Sequence, residues 1–105
     1  IVSFEPLLEA VSCSLHGIDW AIIGGESAKR LADARRMDTA WAEALLDICL
    51  RDGVAVFYKQ MGSRLAAELG VRGKGGGAKA LLRGRRWAQF PVPPAEARRR
   101  IAVLE

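Results

Sequence analysis

Three short apolar runs constrain what this chain can fold into: Ile1-Val-Ser-Phe4, Trp20-Ala-Ile-Ile23 and Val54-Ala-Val-Phe-Tyr58. Each stops abruptly at polar residues: Glu5, Gly24-Gly25-Glu26-Ser27 and Lys59-Gln60 respectively. Near-continuous apolar runs of this length read as buried strands of a parallel sheet. The carboxyl ends of such strands converge on one rim, which is where ligands bind. The pattern therefore predicts an α/β fold with a parallel sheet of about three strands. It also makes Glu5, Glu26, Ser27, Lys59 and Gln60 the candidates for lining a substrate pocket.

The residues between the runs supply the connections. Because the residue before a proline is pushed toward extended geometry, Glu5 continues the first strand and its carboxylate points from the strand end. Leu7 to Val11 reads as either a weak helix or an irregular crossover, since Ser12, Ser14 and Gly17 follow closely. Ala28 to Arg36 holds Lys29, Arg30, Arg35 and Arg36 and reads as a connection able to hold an anion. Asp38 or Thr39 then caps a helix whose apolar stripe is Trp41, Ala42, Leu45, Leu46, Ile48 and Cys49, ending near Arg51-Asp52-Gly53. Gly53 turns directly into the third strand, the second half of a βαβ unit. A further helix is expected from Ser63 to Leu69, stopped by Gly70.

Charge divides the chain. Residues 1–71 carry 7 Lys and Arg against 10 Asp and Glu, whereas residues 72–105 carry 9 against 2. This asymmetry separates a barrel-like β/α segment, 1–71, from a basic, Gly- and Arg-rich tail, 72–105. In the tail, Leu81, Leu82, Trp87, Phe90 and Pro91 offer enough apolar surface to dock it on the core, and a short terminal helix follows Pro93-Pro94. Arg83-Gly-Arg85-Arg86-Trp87 mixes cations with an aromatic, as single-strand binders do. Lys74, Lys79, Arg83, Arg85, Arg86 and Trp87 are the nucleic-acid-binding candidates, set against a reading in which Trp87 only anchors the tail.

Length limits the architecture. A chain of 105 residues is one domain's worth, and a closed eight-stranded barrel needs roughly 250. The first residue already lies inside an apolar run, so the chain reads as a piece of something larger. A missing N-terminal half or a second copy would then complete the sheet. No apolar run approaches the roughly 20 residues that cross a bilayer, and no basic stretch followed by a long apolar segment opens the chain. A cytoplasmic location without membrane association is the expectation. Cys13 and Cys49 lack the short paired spacing of zinc or iron-sulfur ligands, so no metal site is expected within this chain; they read as buried thiols, with a disulfide between them as the alternative that a reducing compartment argues against.

Two motifs invite catalysis. Gly73-x4-Ala78-Lys79-Ala80 approaches a phosphate-binding loop, but Ala80 has no hydroxyl for magnesium, Ala78 replaces a glycine, and no strand precedes it. Glu5 and Glu26 could form a carboxylate pair with Lys59 beside it, suited either to proton transfer or to a salt bridge closing the strand ends. His16, the one histidine, sits in a polar crossover, and no Ser-His-Asp arrangement is supported.

Taken together, Phe4-Glu5-Pro6-Leu7-Leu8, Ile18-Asp19-Trp20-Ala-Ile-Ile-Gly24-Gly25-Glu26-Ser27, Trp41 with Cys49, Gly53-Val-Ala-Val-Phe-Tyr-Lys59-Gln60-Met-Gly62 and Leu81-Leu82-x-Gly84-Arg85-x-Trp87-x-x-Phe90-Pro91 form a set. This set resembles the C-terminal part of the phage-type three-cysteine family, a radical-SAM-like group of unknown function, over roughly residues 1–91. The resemblance implies a partial (β/α) barrel whose N-terminal half would carry an iron-sulfur cluster and S-adenosylmethionine, with neither cofactor held by this chain. Two positions depart from the family pattern: Arg83 replaces an acidic residue, and Ala28-Lys29 replaces a small glycine. The other function class is a non-catalytic nucleic-acid or partner-binding module working through the basic tail, whose affinity for single strands would weaken steeply with salt.

Overall fold

The computed structural model describes residues 1–72 and 80–91. Its centre is a parallel three-stranded sheet in the order β1 (Val2–Phe4), β2 (Trp20–Gly24), β3 (Ala55–Gln60). All three apolar runs are strands. Phe4 lies opposite Ile23, and Ile23 opposite Tyr58, so one register row crosses the whole sheet. The third strand runs two residues beyond its apolar run, through Lys59 and Gln60, because a register shift after Ile23 lets Gly24 pair with Gln60.

Alternation sets the two faces. Val2, Phe4, Ala21, Ile23, Val56 and Tyr58 turn toward the core, where they meet α1 (Thr39–Asp52). That helix forms where its cap and stripe predict. The Asp38 side chain accepts from the Ala40 amide at 2.9 Å, Gly53 closes it at φ 71°, and Ala42, Leu45, Leu46 and Cys49 are completely buried. The left-handed conformation at Gly53 is one that residues with a Cβ adopt only under strain. A second helix, α2 (Ser63–Glu68), follows β3 after Met61 and Gly62.

Between β1 and β2 the crossover is irregular, with Leu7 and Leu15 buried as its anchors. The Leu7 amide donates to the Gly24 carbonyl at 2.8 Å. The Leu15 amide donates to Asp52 Oδ2 at 2.7 Å, which ties the loop to the end of α1. The connection from β2 to α1 is also irregular apart from a short 3-10 turn, Leu31–Asp33.

Residues 80–91 pack back on the sheet. Trp87 joins the core, and its indole N–H donates to the Leu82 carbonyl at 2.9 Å. Ala88 forms an antiparallel bridge with Phe57. The Tyr58 amide donates to Trp87 O, and the Gln89 amide to Val56 O. The outer edge of β3 is thus covered, whereas β1 has no strand beside its outer edge among the described residues.

One expectation about the thiols is corrected. Cys49 is buried, but Cys13 is exposed on the crossover, and both are free. The crossover there is irregular and anchors itself through Leu15, which is buried, while Ser12, Cys13 and Ser14 are exposed. Burial pushes the Cys49 thiol up to about 11. The final helix expected after Pro94, the glycine-rich segment and the candidates Lys74 and Lys79 lie outside the described residues.

Candidate functional site

The carboxyl ends of the strands gather the predicted rim residues, but as separate pairs. Glu5 folds back over Gly24 so closely that a Cβ there would lie 2.8 Å from Glu5 Oε1. Its Oε1 sits 3.4 Å from Lys59 Nζ, and Ser3 Oγ donates to Oε2 at 3.0 Å. Only a residue without a side chain at position 24 leaves room for this. Proline geometry alone had aimed the carboxylate off the strand end; in the structure the ion pair brings it back across the sheet.

Glu26 goes elsewhere. Arg35 holds it with a fork: Nε donates to Oε1 at 3.1 Å and Nη2 to Oε2 at 2.7 Å, and the Arg35 amide adds a third bond at 2.8 Å. These bonds, the side-chain ones first, hold the Glu26 carboxyl at about 2, well below its usual 4.5. A carboxylate so fixed stays ionised and does not move protons near neutral pH. Glu5 and Glu26 therefore do not form a carboxylate pair. Arg35 of the Ala28–Arg36 connection thus holds the protein's own Glu26.

Ser27 and Gln60 form the third pairing, with the Ser27 hydroxyl donating to Gln60 Oε1. Beside them Gly25 presses on the next segment. A Cβ at Gly25 would fall 2.5 Å from the Met61 carbonyl oxygen. The Gly25 amide donates to Gln60 O at 3.0 Å, and the Ser63 amide to Glu26 O at 2.9 Å. The Ser63 hydroxyl accepts from the Ala28 amide at 3.0 Å. The loop after β2 is thus laced to the loop after β3, and the two glycines are what permit the approach.

Among the described residues, no helix covers the other face of the sheet. Trp20, Ile22 and Phe57 alternate away from the core, and with Glu5, Lys59 and Phe90 they line a concavity of about 350 Å³. Trp20, Phe57 and Phe90 form an aromatic cluster with centroids 5.5–6.4 Å apart. The Trp20 indole N–H donates to Gln89 O at 3.0 Å. Parallel sheets are normally covered on both faces. Here one face ends in an aromatic floor with an ion pair at its upper margin.

Of the tail candidates, Arg83 is paired with Asp47 and Trp87 is only 6% exposed. Arg85 lies 4.0 Å over the Trp87 ring, and Arg86 is exposed. His16 is exposed, its Nε2 3.4 Å from Asp52 Oδ1. Among the described residues no group of three or more His, Cys, Asp or Glu side chains gathers as a metal site, and no helix is long and apolar enough to cross a membrane.

Sequence reasoning did not single out Arg35 as the partner of Glu26, although four cations in that connection signalled that an anion would be held. Nor did it find Gln89, whose side chain accepts from the Val56 amide at 3.0 Å. Nothing local marks Gln89, because its role depends on where the tail crosses β3.

A family profile covers most of the chain. DUF5131, described as a protein of unknown function, matches residues 1–91. The chain belongs to the DUF5131 family. Its matched region takes in the whole sheet, both helices and the aromatic cluster, and ends at Pro91. No curated protein and no solved structure matches the chain.

Proposed function

We propose that this DUF5131 chain supplies C-terminal strands of a radical-SAM-like, barrel-like fold, and that its open sheet face forms one wall of the substrate pocket. The observation that carries this reading is the sheet face that the described residues leave without a covering helix. In a closed parallel barrel one face of the sheet turns inward, and ligands sit over it at the carboxyl-end rim. Here the inward-type positions are Trp20, Ile22 and Phe57, with Glu5 and Lys59 above them. Such a wall would take a substrate with an apolar body and a charged end, met by Lys59 or by Glu5 according to its sign.

This chain does not fit the ligand set of an iron-sulfur cluster. Cys49 is buried on the inner side of α1, Cys13 lies exposed on the crossover, and the sequence has no third cysteine. A cluster and S-adenosylmethionine would have to be held by other polypeptide, and no chemical step is assigned to residues of this chain. Iron and acid-labile sulfide analysis of the anaerobically purified protein, in the longest form its gene encodes, tests the reading. Stoichiometric iron and sulfide are expected. Their absence from a longer, folded form would sink the radical-SAM-like assignment.

A further inference from the structure

The connection after β2 carries four cations, and three have carboxylate partners. Arg30 meets Asp33 at 3.9 Å, Arg35 meets Glu26 at 2.7 Å and Arg36 meets Glu68 at 2.9 Å. Lys29 has no carboxylate partner among the described residues. A second cation is brought beside it from far along the chain. Arg72 Nη2 donates to the Lys29 carbonyl at 2.8 Å and to the Ala28 carbonyl at 3.3 Å. Carbonyls orient a guanidinium without cancelling its charge.

Ser27, Ala28, Lys29, Ser63 and Arg72 line a concavity of about 680 Å³, and among the described residues its wall holds no acidic side chain. Its hydroxyls hold the loop in place. Ser63 Oγ accepts from the Ala28 amide at 3.0 Å and donates to the Ala28 carbonyl at 3.3 Å, while Ser27 donates to Gln60. The two cations are left to meet a ligand. Like charges held in one concavity repel unless an anion lies between them. A phosphate monoester, with a charge of roughly −1.5 to −2 near neutral pH, matches two cations better than a carboxylate does. The planar guanidinium fork also suits phosphate oxygens. The volume exceeds what the phosphate alone would fill and falls within the roughly 300–1,000 Å³ typical of ligand clefts.

We propose that this concavity, at the carboxyl ends of β2 and β3, binds the phosphate group of a phosphorylated small molecule. It is separate from the face bearing Glu5 and Lys59, so it stands or falls independently of the radical-SAM-like reading.

Isothermal titration of the chain with inorganic phosphate, glycerol phosphate and acetate at constant ionic strength tests this. Saturable binding of both phosphates is expected, with acetate at least about tenfold weaker, and the monoester binding more tightly than inorganic phosphate if the remaining volume takes the rest of the molecule. Lys29→Gln and Arg72→Gln should each weaken phosphate binding about tenfold, the scale of one charge-assisted contact. Lys29 is exposed, so its variant decides the matter even if Arg72→Gln disturbs the loop. No saturable binding up to about 10 mM phosphate, equal binding of acetate, or an unchanged Lys29→Gln variant would overturn the site. Much tighter binding of single-stranded DNA that also needs Lys29 would overturn the small-molecule assignment.

Discussion

At the scale of single residues, Gly24 and Gly25 separate two kinds of close approach. A methyl group at Gly24 would meet the end of the Glu5 side chain at 2.8 Å, whereas one at Gly25 would meet the Met61 carbonyl at 2.5 Å and Gly62 Cα at 2.8 Å. A side chain can swing away, but backbone tied by three hydrogen bonds cannot. Gly25→Ala should therefore destabilise the fold by about 1–3 kcal/mol or more, the range of overpacking. Gly24→Ala should cost less while displacing Glu5 from Lys59. Urea unfolding of both variants checks the order; a Gly24 variant less stable than the Gly25 variant would contradict it.

Charge at the residue scale gives a pH dependence. Hydrogen bonds from Arg35 hold Glu26 at about 2 against the usual 4.5. Those from Arg51, followed by the Leu15 amide, hold Asp52 at about 2 against 3.8. Both values are depressed in the folded state. The stabilisation is therefore present above the unfolded values and is lost as pH falls through them toward 2. The urea midpoint should drop as pH falls from 4.5 to about 2. Glu26→Gln and Asp52→Asn should each lower the midpoint at neutral pH and flatten the drop. A wild-type midpoint that stays level across that window would be the contrary result.

At the scale of elements, α1 is the part whose form follows most directly from local sequence. Its cap, its stripe and its terminating glycine are within-helix features, and all appear where the residue pattern places them. Two substitutions separate local from tertiary contributions. Asp38→Ala removes the bond to the Ala40 amide and should cost about 1 kcal/mol. Leu45→Ala empties a completely buried position and should cost about 2–5 kcal/mol. Comparable losses in denaturant titration would mean that packing against the sheet contributes less than its burial indicates. The strands were equally legible in kind but not in extent. Lys59 and Gln60 carry no strand signal of their own and are extended because β2 lies alongside. The crossover of residues 5–19 offered a helix and an irregular path as equals, and the choice went to the irregular one, which lets the Leu7 and Leu15 amides reach Gly24 and Asp52.

At the scale of the whole molecule, the sheet has unlike edges and unlike faces. Residues 87–89 cover the outer side of β3, while among the described residues no strand pairs with the outer edge of β1. The open face exposes aromatic surface that includes Phe90, 62% exposed. Free edges and bare apolar faces favour association. The chain should sediment with an apparent mass that rises with concentration, and Ser3→Lys, which places a charge beside that edge, should reduce the rise. A monomer at every concentration would show that neither edge nor face recruits a partner in isolation.

The strands, their parallel arrangement in an α/β fold, the principal helix and the neighbourhood in which polar residues collect all follow from the residue pattern. These follow from periodicity, capping and the order of apolar runs, all of which act over a few residues. Which polar groups meet was decided only by tertiary structure. Glu5 found Lys59, Glu26 found Arg35, Ser27 found Gln60, and Arg72 came to lie beside Lys29 across 43 residues of chain. Such pairings depend on strand register, on two glycines thin enough to let segments touch, and on the path of irregular loops. None of these is encoded in spacing along the chain.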